Sequence, residues 1–512
     1  MLRLVPAIFD ILDPVLFQVA NWCARPDHLK EVVSVNEWRA MSGQENSSCQ
    51  VLDHDWSEWV SGQTYQGVRM VECQEWEYDT SQFLSTITSD FGLVCGKEYL
   101  KSTAQTLYFI GMIFGVFTFG VLADVFGRKQ VLVPLLVGMS VSGIITSQMP
   151  TFETFIFGRL LNAFGVIGIF ECYFTYMLEF VGGRWTTIIG GGVEYIWVCG
   201  WLSLAGLAYV LRDWRELMLY SSIPSILSVV LYWLVPESPR WLLSMGRIEE
   251  AERIVRSAAH FNKISLPEDW RLKSVQKKKP RKTNLLDMFR YPNMRLKTLI
   301  LYYNWFVNSF AYYGLTMNMG DLGGSNVYLS FTISGLLEIP AYAAAIILLL
   351  YFGRRVPYYS SMLLCGISLL SIMLVPRGVY KDDWPATAVA LCGKSCITFS
   401  WAVLFIYSAE IFPTEIRTSG IGSASFIGRF GGILAPWVGL LGKTFHPYIP
   451  AIIFGGNALL AGLLAVWLPE TQGRDLPYTI EESELLELAH FLPDTCRRGT
   501  EKTNTNIELS GK

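Results

Sequence analysis

The sequence predicts an all-α polytopic membrane protein: twelve transmembrane helices in two six-helix parallel repeats, with a disulfide-containing extracellular loop. Three observations predict it. The 512 residues are 51% hydrophobic and only 17% charged, the balance of a membrane chain rather than of several soluble domains. Apolar runs of roughly 20 residues, the length that crosses a bilayer, recur along the chain. Motifs at the ends of those runs repeat in order at nearly one spacing. The net charge of −3 gives nothing that points to nucleic acid.

Eleven runs are clear, at about 103–123, 131–149, 152–178, 186–211, 217–235, 298–319, 327–350, 357–375, 386–408, 418–442 and 450–468. A weaker run at about 2–20 opens the chain and holds Pro6, Asp10, Asp13 and Pro14. A cleaved signal peptide is its rival reading, disfavoured because a signal core rarely carries two aspartates. Counting this run gives spans 1 to 12.

The loops set the orientation. Segment 236–297 holds fifteen Lys and Arg against seven acids, including "KKKPRK" at 277–282, and segment 21–100 holds thirteen acids against five Lys and Arg. Basic loops stay inside, so 236–297 is expected in the cytosol, 21–100 outside, and both termini in the cytosol. The organisation is then an amino-terminal half at 1–235, a linker at 236–297, a carboxyl-terminal half at 298–468 and a tail at 469–512. The basic run reads most simply as a topology signal. In the outer loop Cys23, Cys49, Cys73 and Cys95 make an even set in an oxidising compartment, enough for two bridges in three alternative pairings. Asn46 in "NSS" is a glycosylation acceptor on the correct side. The other six cysteines lie in spans or the tail and read as inert thiols.

Three boundary motifs recur. "GVLADVFGRKQ" and "LLLYFGRRVP" put Gly127 and Gly353 226 residues apart; "LEFVGGRWT" and "AEIFPTEIRT" put Glu179 and Glu410 231 apart; "PESPRWL" and "PETQGRDL" put Pro236 and Pro469 233 apart. A parallel repeat of this kind is a transporter architecture, with the site expected near mid-membrane between the halves. A central cavity lined by spans 1, 4, 7, 8, 10 and 11 is the expectation.

These motifs carry a resemblance. "GVLADVFGRKQ" is similar to the loop signature of the major facilitator superfamily. "PESPRWLLSMGRIEEAERIVRSAA", "AEIFPTEIRTSGIG", "LLEIPAY", "LPETQGRDLPYTIEE" and "CQEWEYDTSQFLSTITSDFGLVC" resemble the organic cation, organic anion and carnitine transporter family within it. "WFVNSFAYYGLTMNMGDLGGS" looks closest to the organic cation and carnitine branch. There are departures. The family usually begins with a short cytosolic segment and a full first helix; here span 1 starts almost at Met1, which leaves its role and the completeness of the amino terminus open. The outer loop has four cysteines where members often have six. Leu350 stands where the first copy has Asp124, so the second clasp is expected to be the weaker one.

Charges at the span ends suggest conformational clasps. Asp124 can face a neighbouring helix N-terminus, where the dipole favours an anion. Arg128, beside Gly127, can pair with an acid on the adjoining loop. Glu179 with Arg184 and Glu410 with Arg417 are placed for similar pairs. Such contacts would close the cytosolic side and break as it opens. The alternative is that these charges only set topology.

Charges deep in the spans are costly and face a cavity or a partner. Glu338 is near the middle of span 8 and Arg429 near the middle of span 11, in "SFIGRFGGILAP". Lys394, Arg159, Glu171 and Glu194 are also buried in apolar runs. An internal ion pair, Glu338 with Lys394 or Arg429, is the bland reading. The resemblance implies aromatic lining at Phe170, Trp305 and Tyr312, where rings attract quaternary ammonium. It also implies a role for Arg429. Purely cationic members tend to have aspartate in the "RFGG" position, and anion and carnitine members arginine. Arg429 then offers a fork for a carboxylate, and Glu338 with the aromatics the opposite pole.

The function expected is polyspecific plasma-membrane transport of small organic cations and zwitterions, carnitine-like or betaine-like, by alternating access. An organic-anion carrier using Arg429 and a non-transporting solute receptor are the rivals. The partners expected are small charged organic solutes, the lipid bilayer and a coupling ion, sodium or proton. No enzyme, cofactor or metal site is expected: there are five histidines, none lies in a span, and no nucleophile–base pattern occurs.

Overall fold

The computed structural model describes residues 19–485 except 45–47, 55, 57–67, 182–183, 268–269, 273–284, 318–326, 377–378, 381–382, 414–415, 474–476 and 478–479. Span 1, Asn46, the "KKKPRK" run and the end of the tail fall outside the described residues.

The other eleven spans are helical. Spans 2 to 6 start with the helices Tyr99–Phe126, Arg128–Ser147, Phe152–Phe180, Arg184–Leu211 and Trp214–Ile226. Spans 7 to 12 are Pro292–Met317, Val327–Tyr351, Arg355–Ser371, Trp384–Ile411, Arg417–Thr444 and Ile449–Ala465. Among the described residues, eight helices are long and apolar enough to cross a membrane. The remaining three spans differ for local reasons. Span 6 holds Pro224, which lacks a donor and clashes with the preceding turn; the chain continues as a tight turn at Leu227–Val230 and a short helix at Leu231–Leu234. Span 7 carries the buried amides of Asn304 and Asn308. Span 12 has 17 residues.

The repeat seen in the sequence recurs in the packing. Span 4 lies along spans 2 and 3, and span 3 along span 6; span 10 lies along spans 8 and 9, and span 9 along span 12. The sharp turns between spans 2 and 3 and between spans 8 and 9 use Gly127 at φ 105° and Gly353 at φ 81°, a conformation costly for any residue with a Cβ. Each half also ties its last span to its fourth through one tyrosine. Tyr176 donates to the Pro236 carbonyl at 2.6 Å, and Tyr407 to the Pro469 carbonyl at 2.6 Å. Across the halves, span 2 packs on span 11 and span 5 on span 8, the same two surfaces with the halves exchanged.

The loop before span 2 is a folded cap. Strand β1 (Asn21–Cys23) pairs with β4 (Trp76–Tyr78), and β2 (Gln50–Leu52) with β3 (Met70–Glu72), both antiparallel. A small core of Trp22, Leu29, Val33, Trp38 and Trp56 fills it. Of the three pairings open to the sequence, the structure takes Cys23–Cys73 and Cys49–Cys95. The cap also touches both halves. The Gln82 carbonyl accepts from Arg212 Nε at 2.6 Å, at the end of span 5, and from Tyr328 Oη at 2.7 Å, at the start of span 8.

Candidate functional site

Glu338 lies midway along span 8 and is 1% exposed. Its Oε1 accepts from the Tyr312 hydroxyl at 3.0 Å and lies 3.6 Å from Lys394 Nζ of span 10. Its Oε2 is buried with no hydrogen-bond partner. The Lys394 ammonium also donates to Ser334 and sits 3.9 Å from the centre of the Trp201 ring, on span 5 of the other half. The ion pair read from the sequence as the bland alternative is therefore present, with Lys394 rather than Arg429 as the partner. It does not use up the carboxylate, because one oxygen stays open.

Arg429, 8% exposed, makes no ion pair among the described residues. Its Nη1 is 3.5 Å from the Tyr313 hydroxyl and 3.9 Å from the Met112 sulfur, and its Nε is buried without a partner. Glu171 of span 4 lies near enough for its charge to be coupled to that of Arg429. Span 11 reaches span 7 closely because Gly431 packs on the Phe306 carbonyl, where a side chain would overlap it. That is the structural use of the glycines in "RFGG".

The two charges are linked. Arg429 touches Tyr313, whose ring meets that of Tyr312 at 5.6 Å, and the Tyr312 hydroxyl reaches Glu338. Trp197 of span 5 donates to the same hydroxyl at 3.3 Å. Tyr312 stacks on Trp401 at 6.2 Å and 27°. The predicted Phe170 stacks on Phe174 at 6.3 Å, and Phe174 meets Phe405 of span 10 across the halves at 6.5 Å. Trp305 is 1% exposed and its Nε1 donates to Ser408 at 2.9 Å. Its ring meets those of Trp401 at 5.7 Å and Phe405 at 4.6 Å. Spans 4, 7, 8, 10 and 11 bring residues to this cluster, spans 2 and 5 do so as well, and span 1 lies outside the described residues. Trp197, Trp201, Tyr313, Met112 and Trp401 were missed. Only their spacing from Glu338 and Arg429 across other helices distinguishes them, and a sequence does not contain that.

The clasps differ from expectation. Arg128 holds Glu179, with Nη2 to Oε1 at 3.0 Å, and Asp124 at 2.9 Å. Arg354 holds Glu410, with Nη2 to Oε1 at 3.0 Å and Nε to Oε2 at 3.0 Å. Glu179 is thus paired with Arg128; the side chain of Arg184, its expected partner, lies outside the described residues. Glu410 is paired with Arg354, not with Arg417, whose Nε instead donates to the Phe412 carbonyl at 3.2 Å. The carboxylate at the helix N-terminus is not Asp124, which is 73% exposed. It is Glu237, taking the Arg128 and Lys129 amides at 3.1 and 3.2 Å. Glu470 does the same for Arg354 and Arg355 at 2.9 and 3.1 Å. These acids belong to "PESP" and "PETQ"; free amides at a helix start favour an anion. All these contacts lie within one half. They brace the ends of its helices rather than joining one half to the other. Nor is the second copy stripped down, since Thr471 adds a bond to Glu410 at 2.5 Å.

Comparison with known proteins now bears on these residues. The pattern of the family described as "Sugar (and other) transporter" matches residues 62–482. The Drosophila melanogaster "Organic cation transporter protein" is 36% identical over 484 residues, covering 92% of this chain and 86% of the relative. The human "Solute carrier family 22 member 13" is 36% identical over 412 residues, with 80% and 73% covered. The human "Organic cation/carnitine transporter 2" is 34% identical over 412 residues, with the same coverage of 80% and 73%. Among solved structures, the xylose transporter XylE from E. coli in an inward open conformation superposes with a TM-score of 0.59 at 18% identity, over 78% of this chain and 93% of that one. That likeness concerns the fold alone.

Proposed function

The chain belongs to the sugar (and other) transporter family of the major facilitator superfamily and, within it, to solute carrier family 22; from that premise we propose that it carries small organic cations and zwitterions by alternating access. Its place is the plasma membrane, with the disulfide-bonded cap outside and both termini in the cytosol.

One observation carries the substrate class: two buried opposite charges, each with an unpartnered polar atom, joined through a pair of tyrosines. Glu338 Oε2 and Arg429 Nε have no hydrogen-bond partner, and a buried polar atom left unpaired is costly. A zwitterion with an N–H-bearing ammonium supplies both missing partners, and one with a quaternary ammonium supplies the opposite charge to Glu338 without a hydrogen bond. Its ammonium goes to Glu338 and the faces of Tyr312 and Trp401, where cation–π attraction adds about 1–2 kcal/mol. Its carboxylate goes to the Arg429 guanidinium. Phe170 lengthens the aromatic wall, and Trp305 supports it from behind. Coupling to sodium or a proton belongs to the same proposal. Lys394 gives the organic-anion reading a foothold of its own, because with Glu338 neutralised by it Arg429 dominates the field.

The test is uptake of a labelled panel of one cation, one zwitterion and one anion into expressing cells, with and without sodium. The account expects zwitterion and cation uptake above that of mock-transfected cells. Uptake of the anion alone supports the rival carrier, and binding without flux supports a receptor.

A further inference from the structure

We propose that Phe109 and Trp201 are the gate of this carrier on the cap side. Each ring is seated in a glycine notch of the opposite half, one helical turn above a charged residue of the candidate site. The inference rests on the transport reading above and adds the residues that close the path.

Trp201 of span 5 is fully buried. It stacks on Phe331 of span 8 at 4.5 Å and 18°, and its Nε1 donates to the Phe331 carbonyl at 2.8 Å. Its pyrrole edge fills the space over Gly335, where an added methyl would overlap Cδ1. Phe109 of span 2, also fully buried, fills the space over Gly432 of span 11 in the same way, through Cε1. Phe109 and Gly335 are 226 residues apart, as Gly127 and Gly353 are; Trp201 and Gly432 are 231 apart, as Glu179 and Glu410 are. The two notches are therefore one device written twice, with ring and glycine exchanged between the halves.

The notches roof the site. Gly335 precedes Glu338 by three residues and Gly432 follows Arg429 by three. The two helices run in opposite directions, so both glycines lie one turn nearer the cap. Each ring also touches its charge through one residue. Trp201 lies under the Lys394 ammonium, which pairs with Glu338. Phe109 meets the Tyr313 ring at 4.7 Å, and the Tyr313 hydroxyl faces Arg429. A ligand that draws Glu338 from Lys394, or Arg429 from Tyr313, disturbs the seat of the ring above. Toward the cap the halves stay joined, with Ser102 donating to the Pro436 carbonyl at 3.2 Å and Trp437 to Thr106 at 2.9 Å.

The experiment uses the full-length carrier with a reporter cysteine, Ser102→Cys, at the buried edge between spans 2 and 11. A membrane-impermeant thiol reagent is added to intact cells, and the labelling rate is corrected for surface abundance and for the parent chain's own cysteines. Gly335→Ala and Gly432→Ala should each speed labelling about tenfold, because overpacking a tight contact disfavours the closed state by that order. Adding Phe109→Val to Gly432→Ala should return the rate toward the parent's. If either glycine variant fails to reach the surface, Trp201→Ala or Phe109→Ala, which empties the same notch without overpacking it, should also speed labelling. Unchanged labelling in every surface-expressed variant overturns the gate. Faster labelling in a chain that takes up no solute leaves the gate standing and removes the transport reading instead.

Discussion

Glu338 has two demands on one carboxylate: Lys394 and Tyr312 hold Oε1, and Oε2 is open. Removing one member of a buried pair strands the other charge, at a cost of about 3–5 kcal/mol. Glu338→Gln should therefore lower surface abundance as well as cation uptake. The double variant Glu338→Gln with Lys394→Met should recover abundance, because no charge is left alone, while cation uptake stays low. If the double variant regains cation uptake, the carboxylate is a structural partner only. Sequence reading found Glu338 and Arg429 easily, since a charge in an apolar run has few explanations. It could not choose their partners. Lys394, Trp201 and Tyr313 lie on three different helices, and their approach depends on how those helices cross.

At the scale of the element, the repeated turns show what the boundary motifs do. Each places a glycine with positive φ, an arginine clamped on an acid of the fourth helix of its half, and a distant glutamate on the new helix's amides. Arg128→Ala and Arg354→Ala should be comparably harmful, because each leaves a glutamate that is only 15% or 17% exposed without its guanidinium. Asp124→Asn should cost less than about 1 kcal/mol, the scale of exposed pairs. Thermal unfolding of the detergent-solubilised protein measures all three, and an Asp124→Asn loss as large as that of Arg128→Ala would refute this ranking. The motifs were legible as a repeat, and the helices between them were found from hydropathy. Within them folding brings Glu410 to Arg354 rather than to its sequence neighbour Arg417, and the expected pairing of Glu179 with Arg184 lies outside the described residues. The cap was legible as a disulfide-bonded unit, but four cysteines alone do not select Cys23–Cys73 and Cys49–Cys95.

For the whole molecule, contacts between the halves lie on both sides of the candidate site. Toward the cap are Ser102 on Pro436, Phe109 on Gly432 and Trp201 on Gly335, and toward the other end Phe117 meets Phe426 at 5.2 Å, Tyr195 meets Tyr342 at 6.4 Å and Phe174 meets Phe405 at 6.5 Å. The arginine clamps at the other end stay within their halves. In the proposed cycle each half would move as a braced unit, and the two ring notches are the cap-side contacts that would have to separate. Charge selection between the halves is the central claim, and Arg429 tests it most directly. The measurement is uptake of one cation, one zwitterion and one anion by Arg429→Ala, normalised to surface abundance. Loss of one charge-assisted bond removes about 1.5–3 kcal/mol, or roughly tenfold to a hundredfold in affinity. The account predicts that loss for the zwitterion and the anion, with the cation unchanged or improved. Equal losses for all three substrates at normal surface abundance would contradict it.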